Sequence, residues 1–151
     1  MKTYISDSLM NTEQIAADWL ADLGRTFAAS EEALVVGLSG HLGAGKTAFI
    51  KILAKLLGIS ETVTSPTFVL MKIYEIPSDL KTIPWKRLVH IDAYRLEKPE
   101  ELAALDFENL VSDPRNLIMV EWPENVGLKD FVTLAKLDFE IREGRHHISV
   151  R

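Results

Sequence analysis

The sequence predicts an α/β fold in which helices flank a mainly parallel central sheet and an antiparallel hairpin forms the C-terminal end. Short apolar runs at 33–38, 87–91 and 116–120 are typical of buried parallel strands. A glycine-rich segment follows the first run and leads into an amphipathic helix. Near the C terminus, apolar and charged residues alternate over 137–141, which indicates a half-buried strand.

Two helices are predicted in the N-terminal half. The first runs from Asn11 to about Ala29, because Asn11 followed by Gln14 resembles a helix cap. Apolar residues then recur at every fourth position, at Ile15, Trp19, Leu23 and Phe27. Trp19 lies on this stripe and is interpreted as a core residue. The second helix runs from Thr47 to Leu57, and Gly58 follows where a helix would end.

The remaining elements complete the predicted sheet. A strand is expected from Phe68 to Ile76, after an irregular lead-in over Thr62 to Thr67. In the following loop, Pro77 to Trp85, Trp85 either anchors the loop to the protein body or belongs to a partner surface. Further strands are predicted at Arg87–Ile91 and Asn116–Val120, with a short helix from Pro99 to Leu105 between them. The C-terminal hairpin turns at Glu143-Gly144 and carries Leu137, Phe139, Ile141, Ile148 and Val150.

Composition narrows the class of protein. The length of 151 residues predicts a single domain over 1–151. The chain has no cysteine, which excludes disulfides and thiolate metal sites and suits the cytoplasm. No apolar run approaches the ~18 residues of a membrane span, so no membrane association is expected. A formal net charge of −5 argues against independent binding of nucleic acid.

The glycine-rich segment carries the strongest chemical signal. Gly40-His41-Leu42-Gly43-Ala44-Gly45-Lys46-Thr47 matches G-x-x-x-x-G-K-[ST], the phosphate-binding P-loop. Its glycines allow backbone N–H groups to approach phosphate oxygens, and the new helix directs its positive end toward them. Lys46 can reach the β- and γ-phosphates, and the Thr47 hydroxyl can bind Mg²⁺. The sequence therefore predicts a P-loop NTPase fold.

Two acidic residues follow predicted strands. Asp92 ends the strand Leu88-Val89-His90-Ile91, and Glu121 ends the strand Leu117-Ile118-Met119-Val120. Carboxyl ends of parallel strands face the ligand edge of such a sheet. One acid can hold Mg²⁺ while the other orients or deprotonates the attacking water, and the sequence leaves open which residue has which task.

Four motifs occur in a specific order along the chain: Gly40–Thr47, Ser65-Pro66-Thr67-Phe68, His90-Ile91-Asp92-Ala93-Tyr94-Arg95-Leu96 and Glu121-Trp122-Pro123. This series, within a segment from Thr12 to Arg145, closely resembles the TsaE (YjeE) family. Members of that family are bacterial ATPases needed for the tRNA modification threonylcarbamoyladenosine.

The resemblance implies that ATP and Mg²⁺ are the ligands. Lys46, Asp92 and Glu121 would be catalytic, and Thr47, Asp92 and Glu121 would serve the metal. Thr67 would lie in a switch-like loop near the γ-phosphate, and Trp122 would shape the mouth of the site. The implied nucleotide contacts are Thr12, His41, Leu42, Gly43, Ala44, Gly45, Lys46, Thr47, Ala48, Thr67, Trp122 and Arg145.

The sequence departs from the family pattern in two places. His41 replaces the aspartate that usually follows the first glycine, and it either faces solvent or helps to neutralise phosphate. The loop from Pro77 to Trp85 is longer than the family pattern. Outside the motifs, His146 and His147 would point to opposite faces of a strand, which is a poor arrangement for holding one metal ion.

The resemblance implies an ATPase that acts with TsaB and TsaD, with tRNA bound only within that assembly. TsaD would transfer the threonylcarbamoyl group, while hydrolysis in this chain resets or drives the assembly. A small P-loop kinase is the second hypothesis, although no arginine-rich lid is evident in the sequence. A nucleotide-dependent switch or binding module is the third, and the lack of an Asn-Lys-x-Asp motif favours ATP over GTP.

Overall fold

A computed structural model describes residues 1–66, 68–80, 82–128 and 134–151. Within these ranges the strands are β1 (Lys2–Ser6), β2 (Leu34–Gly40), β3 (Met71–Glu75), β4 (Arg87–Asp92), β5 (Asn116–Glu121), β6 (Leu134–Arg142) and β7 (Arg145–Val150). The α-helices are α1 (Leu9–Thr26), α2 (Lys46–Leu56), α3 (Glu100–Ala103) and α4 (Phe107–Val111), and a 3₁₀ helix covers Pro123–Val126.

The strands form one seven-stranded sheet in the order β1-β7-β6-β2-β5-β4-β3. The four central strands, β6, β2, β5 and β4, pair in parallel. The outer pairings, β1 with β7, β7 with β6 and β3 with β4, are antiparallel. The predicted α/β class, the parallel centre and the C-terminal hairpin are therefore confirmed. Because β2 is central, the P-loop leaves the sheet at the middle of its carboxyl edge.

Side chains of successive strand residues point to opposite faces, so the sheet has an apolar core on each side. On one face, Leu34, Val36 and Leu38 of β2 pack with residues of α1 and α2. On the other face, Val35 packs with residues of α3 and α4, including Phe107. None of the described helices is both long enough and apolar enough to span a membrane.

Trp19 lies in the core as predicted, and Trp85 has the first of its two expected roles. Trp19 is 4% exposed on α1, and its ring meets Phe49 of α2 edge-on. Trp85 is 1% exposed and packs in the same core, so it anchors the loop that precedes β4. The alternative, in which Trp85 belongs to a partner surface, is wrong because its side chain is buried within the chain.

The first helix begins earlier than predicted, and Asn11 is not its cap. The Ser8 hydroxyl accepts a hydrogen bond from the backbone N–H of Asn11 at 3.2 Å, which makes Ser8 the N-cap. The Asn11–Gln14 pattern misplaced the cap because Asn11 already lies in the first turn. The helix also ends at Thr26 rather than Ala29.

The strand predicted from Phe68 is shorter than its composition suggested. Val69 and Leu70 donate backbone hydrogen bonds to the Pro66 carbonyl at 3.0 and 2.6 Å, which forms a turn. Leu70 has φ 65°, a conformation that ends an extended strand, so β3 begins only at Met71. Local hydrogen bonding therefore overrides the apolar pattern here. The sequence analysis also missed β1 and α4, which have only five residues each.

Candidate functional site

The P-loop joins β2 to α2 through glycines in unusual conformations. Gly40 has φ 144°, and a Cβ atom at this position would lie 2.4 Å from the Phe139 carbonyl oxygen of β6. Gly45 has φ 108° and forms the N-cap of α2. L-residues with side chains rarely adopt either conformation, so glycine is required for this path. The loop thus turns tightly at the edge of the sheet.

The N terminus of α2 is arranged to receive an anion. No side chain among the described residues caps this helix. Its first N–H groups have no intrahelical acceptors, and the helix dipole adds positive potential at the same end. A phosphate group satisfies both requirements, so the loop geometry fits the predicted P-loop function.

Lys46 lies at the centre of the site and is only 4% exposed. Its ammonium donates hydrogen bonds to the carbonyls of Gly40 and His41 at 2.6 and 3.0 Å. The same Nζ atom lies 4.1 Å from the ring centroid of Trp122. Burial lowers the pKa of Lys46, and the nearby Glu121 carboxylate opposes that shift. The lysine is therefore held inside the loop, at the N terminus of α2.

The two predicted acids are neighbours across the sheet. Asp92 on β4 and Glu121 on β5 are paired in parallel register, and their exposed fractions are 5% and 3%. Glu121 Oε1 accepts a hydrogen bond from the Thr47 hydroxyl at 2.7 Å, which ties β5 to the first turn of α2. Asp92 Oδ1 accepts the backbone N–H of Tyr94 at 3.0 Å. Both carboxylates therefore lie at the carboxyl edge of the sheet, as predicted.

A cavity of about 390 Å³, here called the P-loop cavity, joins these groups. Its lining residues are Leu42, Gly43, Gly45, Lys46, Thr47, Ala48, Ser65, Asp92, Tyr94, Glu121 and Trp122. Tyr94 and Trp122 pack together with ring centroids 5.1 Å apart and supply aromatic surface to the cavity. The cavity thus combines a cation, two carboxylates and a hydroxyl beside a helix N terminus.

The donor set of this cavity fits Mg²⁺ bound together with phosphate. No group of three or more His, Cys, Asp or Glu side chains in the described part of the chain is placed to hold a metal alone. Mg²⁺ usually takes one or two carboxylates and completes its shell with water and substrate phosphates. Thr47, Asp92 and Glu121 supply the hard oxygen donors for that arrangement.

A second cavity, of about 330 Å³, lies beside the C-terminal hairpin and is called the hairpin cavity. It shares Gly45 and Ala48 with the P-loop cavity. Its other lining residues are Asp7, Ser8, Leu9, Thr12, Ala44, Phe49, Ile52, Phe139, Gly144, His146 and Ile148. This mostly apolar lining with a few polar groups suits a flat heteroaromatic ring. The two cavities together can hold the phosphates and the base of one nucleotide.

The structure brings most of the predicted nucleotide residues to these cavities. Thr12 and Ala44 line the hairpin cavity, whose described lining residues include neither Asp92 nor Glu121. The His41 side chain is exposed, and its backbone carbonyl accepts from Lys46. Arg145 is exposed and is not among the described residues that line either cavity, although its neighbours Gly144 and His146 line the hairpin cavity. Thr67 lies outside the residues that the structure describes.

Four residues of the site were not assigned a role from the sequence. Ser65, His90 and Tyr94 lie within the recognised motifs, so their motif positions were the available signal. Ser65 Oγ approaches Asp92 Oδ2 at 3.5 Å, and His90 contacts Glu121. His146 Nδ1 lies 3.2 Å from the Ala44 carbonyl oxygen, a contact between β7 and the P-loop that no sequence pattern indicates.

Several known proteins are similar to this chain in sequence or in fold. In Treponema pallidum, the tRNA threonylcarbamoyladenosine biosynthesis protein TsaE is 38% identical over 139 residues, covering 91% of this chain and 93% of that protein. The Rickettsia typhi protein of the same name is 40% identical over 91 residues, covering 60% of this chain. That match spans 57% of the Rickettsia protein's own length.

A crystal structure of Bacillus subtilis YdiB has the same fold, with a TM-score of 0.70 and 23% identity. It aligns over 99% of this chain and 83% of its own. The sequence model of the family "Threonylcarbamoyl adenosine biosynthesis protein TsaE" matches residues 11–149. With this match over nearly the whole chain, and with the P-loop, Asp92 and Glu121 assembled at one sheet edge, the chain belongs to the TsaE family.

Proposed function

We propose that this protein binds ATP with Mg²⁺ across the P-loop and hydrolyses it in the biosynthesis of tRNA threonylcarbamoyladenosine, together with TsaB and TsaD. The observation that carries this proposal is the hydrogen bond from Thr47 to Glu121, formed beside Asp92 and Lys46 in one cavity. It brings the P-loop hydroxyl next to the acidic edge of the sheet, and P-loop NTPases use a hydroxyl and an acid in these places to hold Mg²⁺.

Phosphate binding uses the P-loop backbone and Lys46. No side chain among the described residues accepts a capping hydrogen bond from the N–H groups at the start of α2, so these groups can donate to phosphate oxygens. Lys46 already lies within the loop, and exchange of its carbonyl partners for a phosphate brings a full positive charge to the γ-phosphate.

The Thr47 hydroxyl serves the metal and Glu121 at the same time. A hydroxyl has one hydrogen and two lone pairs, and Thr47 donates its hydrogen to Glu121 Oε1. Its lone pairs remain for Mg²⁺, which when bound would neutralise charge on the β- and γ-phosphates. Asp92 and Glu121 then divide two tasks, support of the metal shell and orientation of the attacking water.

The adenosine part fits the hairpin cavity. The two cavities share Gly45 and Ala48, and Asp92 and Glu121 line only the P-loop cavity, so a nucleotide bound along the P-loop would reach both cavities. Phe49, Phe139 and Ile148 offer apolar surface for the base. The exposed Arg145 lies between Gly144 and His146, which line this cavity, and its proposed role is to contact the nucleotide with a long, flexible cationic side chain.

The role in tRNA modification follows from family membership, and the chain's own charge favours action within an assembly. With a net charge of −5, its surface does not attract an RNA backbone, so TsaB and TsaD would supply the tRNA contacts. TsaD would carry out the threonylcarbamoyl transfer, and ATP hydrolysis here would serve the cycle of the complex.

The test reconstitutes threonylcarbamoyladenosine formation on tRNA with TsaB, TsaD and a chemical donor of the threonylcarbamoyl group, with and without this chain. ATP consumption and modified tRNA are both measured while Mg²⁺ is titrated. The proposal expects multiple rounds of modification only when this chain, ATP and Mg²⁺ are present. Thr47→Val keeps the side-chain shape but removes the hydroxyl, so it should lose Mg²⁺-dependent turnover. A phosphorylated metabolite in place of free phosphate would identify a kinase instead and contradict the proposal.

A further inference from the structure

His90 is a fully buried polar residue on a strand made of apolar residues. It lies on β4 between Val89 and Ile91, and its side chain has no exposed surface. Its Nε2 atom lies 2.8 Å from Glu121 Oε1, on the neighbouring strand. Because an ionised carboxylate only accepts hydrogen bonds, this geometry assigns the ring hydrogen to Nε2. His90 therefore donates directly to one of the two acids of the site.

The contact determines which oxygen of Glu121 is free to act. Oε1 accepts from His90 Nε2 at 2.8 Å and from the Thr47 hydroxyl at 2.7 Å. A carboxylate oxygen has two lone pairs, so these two donors use the acceptor capacity of Oε1. Oε2 is the oxygen left for a metal-bound or attacking water. The two donors also restrict rotation of the carboxylate. Turning it moves Oε1 away from both donors and so breaks both hydrogen bonds.

The environment of the other ring nitrogen, Nδ1, indicates that His90 does not contribute to the stability of the fold. Nδ1 has no hydrogen-bond partner within the part of the chain that the structure describes. A buried polar atom without a partner lowers stability, and the neighbouring strand positions are filled by Leu88, Val89 and Ile91. An aliphatic residue would avoid that cost in the same core. The hydrogen bond to Glu121 is what an aliphatic residue cannot provide.

We propose that His90 is a positioning residue for Glu121: its Nε2–H fixes the carboxylate so that Oε2 faces the metal and water side of the P-loop cavity. This inference rests on the proposed Mg²⁺-dependent ATP hydrolysis. His90 touches neither phosphate nor metal in this scheme, so it acts on them only through Glu121.

The test compares three variants of the full chain. His90→Leu removes the donor and keeps an apolar volume. His90→Gln keeps an N–H donor at about the reach of Nε2. Met119→Leu is the matched control, because Met119 is fully buried, pairs with His90 across β4 and β5, and carries no donor. Calorimetry gives the Kd for ATP with Mg²⁺ and with chelator, and phosphate release in the reconstituted complex gives kcat and KM.

Removal of the donor should act on the metal-dependent step. In His90→Leu we expect kcat, and the gain in ATP affinity that Mg²⁺ provides, to fall by roughly 10- to 100-fold. The Kd measured with chelator should stay within about twofold, because the P-loop contacts are unchanged. His90→Gln should recover most of the loss, and Met119→Leu should match wild type. The inference is overturned if a folded His90→Leu protein has the wild-type kcat and the wild-type increase in ATP affinity on addition of Mg²⁺. It is also overturned if His90→Gln is as impaired as His90→Leu.

A measurement on the wild-type chain tests the inference even if His90→Leu fails to fold. Long-range ¹H–¹⁵N spectra distinguish the two neutral tautomers of histidine, and His90 should carry its hydrogen on Nε2. A hydrogen on Nδ1 alone contradicts the inference. If wild-type protein binds no ATP, the proposed function fails and this inference fails with it. Normal wild-type binding with an unaffected His90→Leu variant contradicts the inference alone.

Discussion

The ammonium of Lys46 lies 4.1 Å from the centroid of the Trp122 ring, so the P-loop lysine is covered by an indole. Trp122 reaches this position because its backbone is left-handed, with φ 59°, directly after β5. Its backbone N–H donates to the Leu38 carbonyl at 3.1 Å, which fixes the turn against β2. The cation–π contact stabilises a charge that would otherwise be poorly solvated. If ATP binds as proposed, its phosphates would compete for the same charge, so Trp122 should report their binding.

The first prediction concerns fluorescence on addition of ATP. The chain has three tryptophans, and Trp19 and Trp85 are 4% and 1% exposed in the core. Only Trp122 lines the P-loop cavity. We expect ATP to change the intrinsic emission of wild-type protein, and Trp122→Phe to remove the change. Trp19→Phe serves as the control and should retain it. A full nucleotide response in Trp122→Phe would show that the indole does not sense the phosphate site.

The second prediction concerns Lys46→Ala. Loss of the ammonium should weaken ATP binding and transition-state stabilisation by about 2–4 kcal/mol, as measured by calorimetry and phosphate release. The fold should persist, because Gly40 is half-buried and His41 is exposed, so water can replace the donor that their carbonyls lose. Lys51→Ala, at an exposed position on the same helix, is the matched control and should bind normally. Unchanged ATP binding by a folded Lys46→Ala protein would refute the P-loop assignment.

The third prediction concerns the two acids. Asp92→Asn and Glu121→Gln keep shape and remove charge, so each should abolish turnover more than it weakens ATP binding. The amide oxygens can still accept from Tyr94 N–H and the Thr47 hydroxyl, which should preserve local structure. Glu124→Gln is the control, because Glu124 is exposed and outside the P-loop cavity. An acid whose variant hydrolyses ATP at the wild-type rate in the full complex has no part in catalysis.

The fourth prediction tests the turn that starts the P-loop. Gly40→Ala places a Cβ atom 2.4 Å from the Phe139 carbonyl oxygen at φ 144°, so β2 and β6 must separate locally. We expect a loss of about 3 kcal/mol or more in unfolding free energy, from backbone strain combined with overpacking. Gly144→Ala is the control: φ is 74°, but nothing lies within 4 Å of its Cβ. It should lose only about 1 kcal/mol. Equal losses in the two variants would contradict the steric argument.

The sequence predicted the parts of this fold that depend on local pattern. The P-loop, the acids after β4 and β5 and the hairpin turn at Glu143-Gly144 each have a signature within about ten neighbouring residues. Trp19 was placed in the core because its helix has a regular apolar stripe. These elements are where propensity, pattern and tertiary structure agree.

The parts that were missed depend on contacts between distant residues. β1 is a strand because it pairs with β7 at the other end of the chain, and five residues show no clear pattern by themselves. His146 approaches Ala44 only after the hairpin has packed beside the P-loop. In the sequence, His90 is only one polar residue within an apolar strand. Its contact with Glu121 exists because β5 lies beside β4 in the folded chain. Sequence pattern contains no direct information about such neighbours.

The fifth prediction is that the isolated chain hydrolyses ATP slowly. P-loop hydrolases often need an arginine to neutralise charge that develops on the transferred phosphoryl group. The described residues lining the P-loop cavity include no arginine. Arg95, the arginine within the recognised motifs, lies with its guanidinium carbon 5.0 Å from the centroid of the exposed Phe68 ring. Arg145 is on the hairpin, next to residues that line the other cavity.

A partner can complete the site either by inserting an arginine or by repositioning Arg95. Phe68 is 85% exposed, so a protein that covers this ring would also displace the guanidinium from it. We expect ATP turnover to rise by at least tenfold when TsaB and TsaD are added, and tRNA to act only in their presence. Arg95→Lys keeps the charge but not the planar guanidinium, so a loss of stimulation in that variant would identify Arg95 as the repositioned group. Full stimulation in Arg95→Lys would indicate that the partner supplies the cation. Fast turnover by the lone chain, unchanged by both partners, would show that the site is complete without them and would favour an independent ATPase or a kinase.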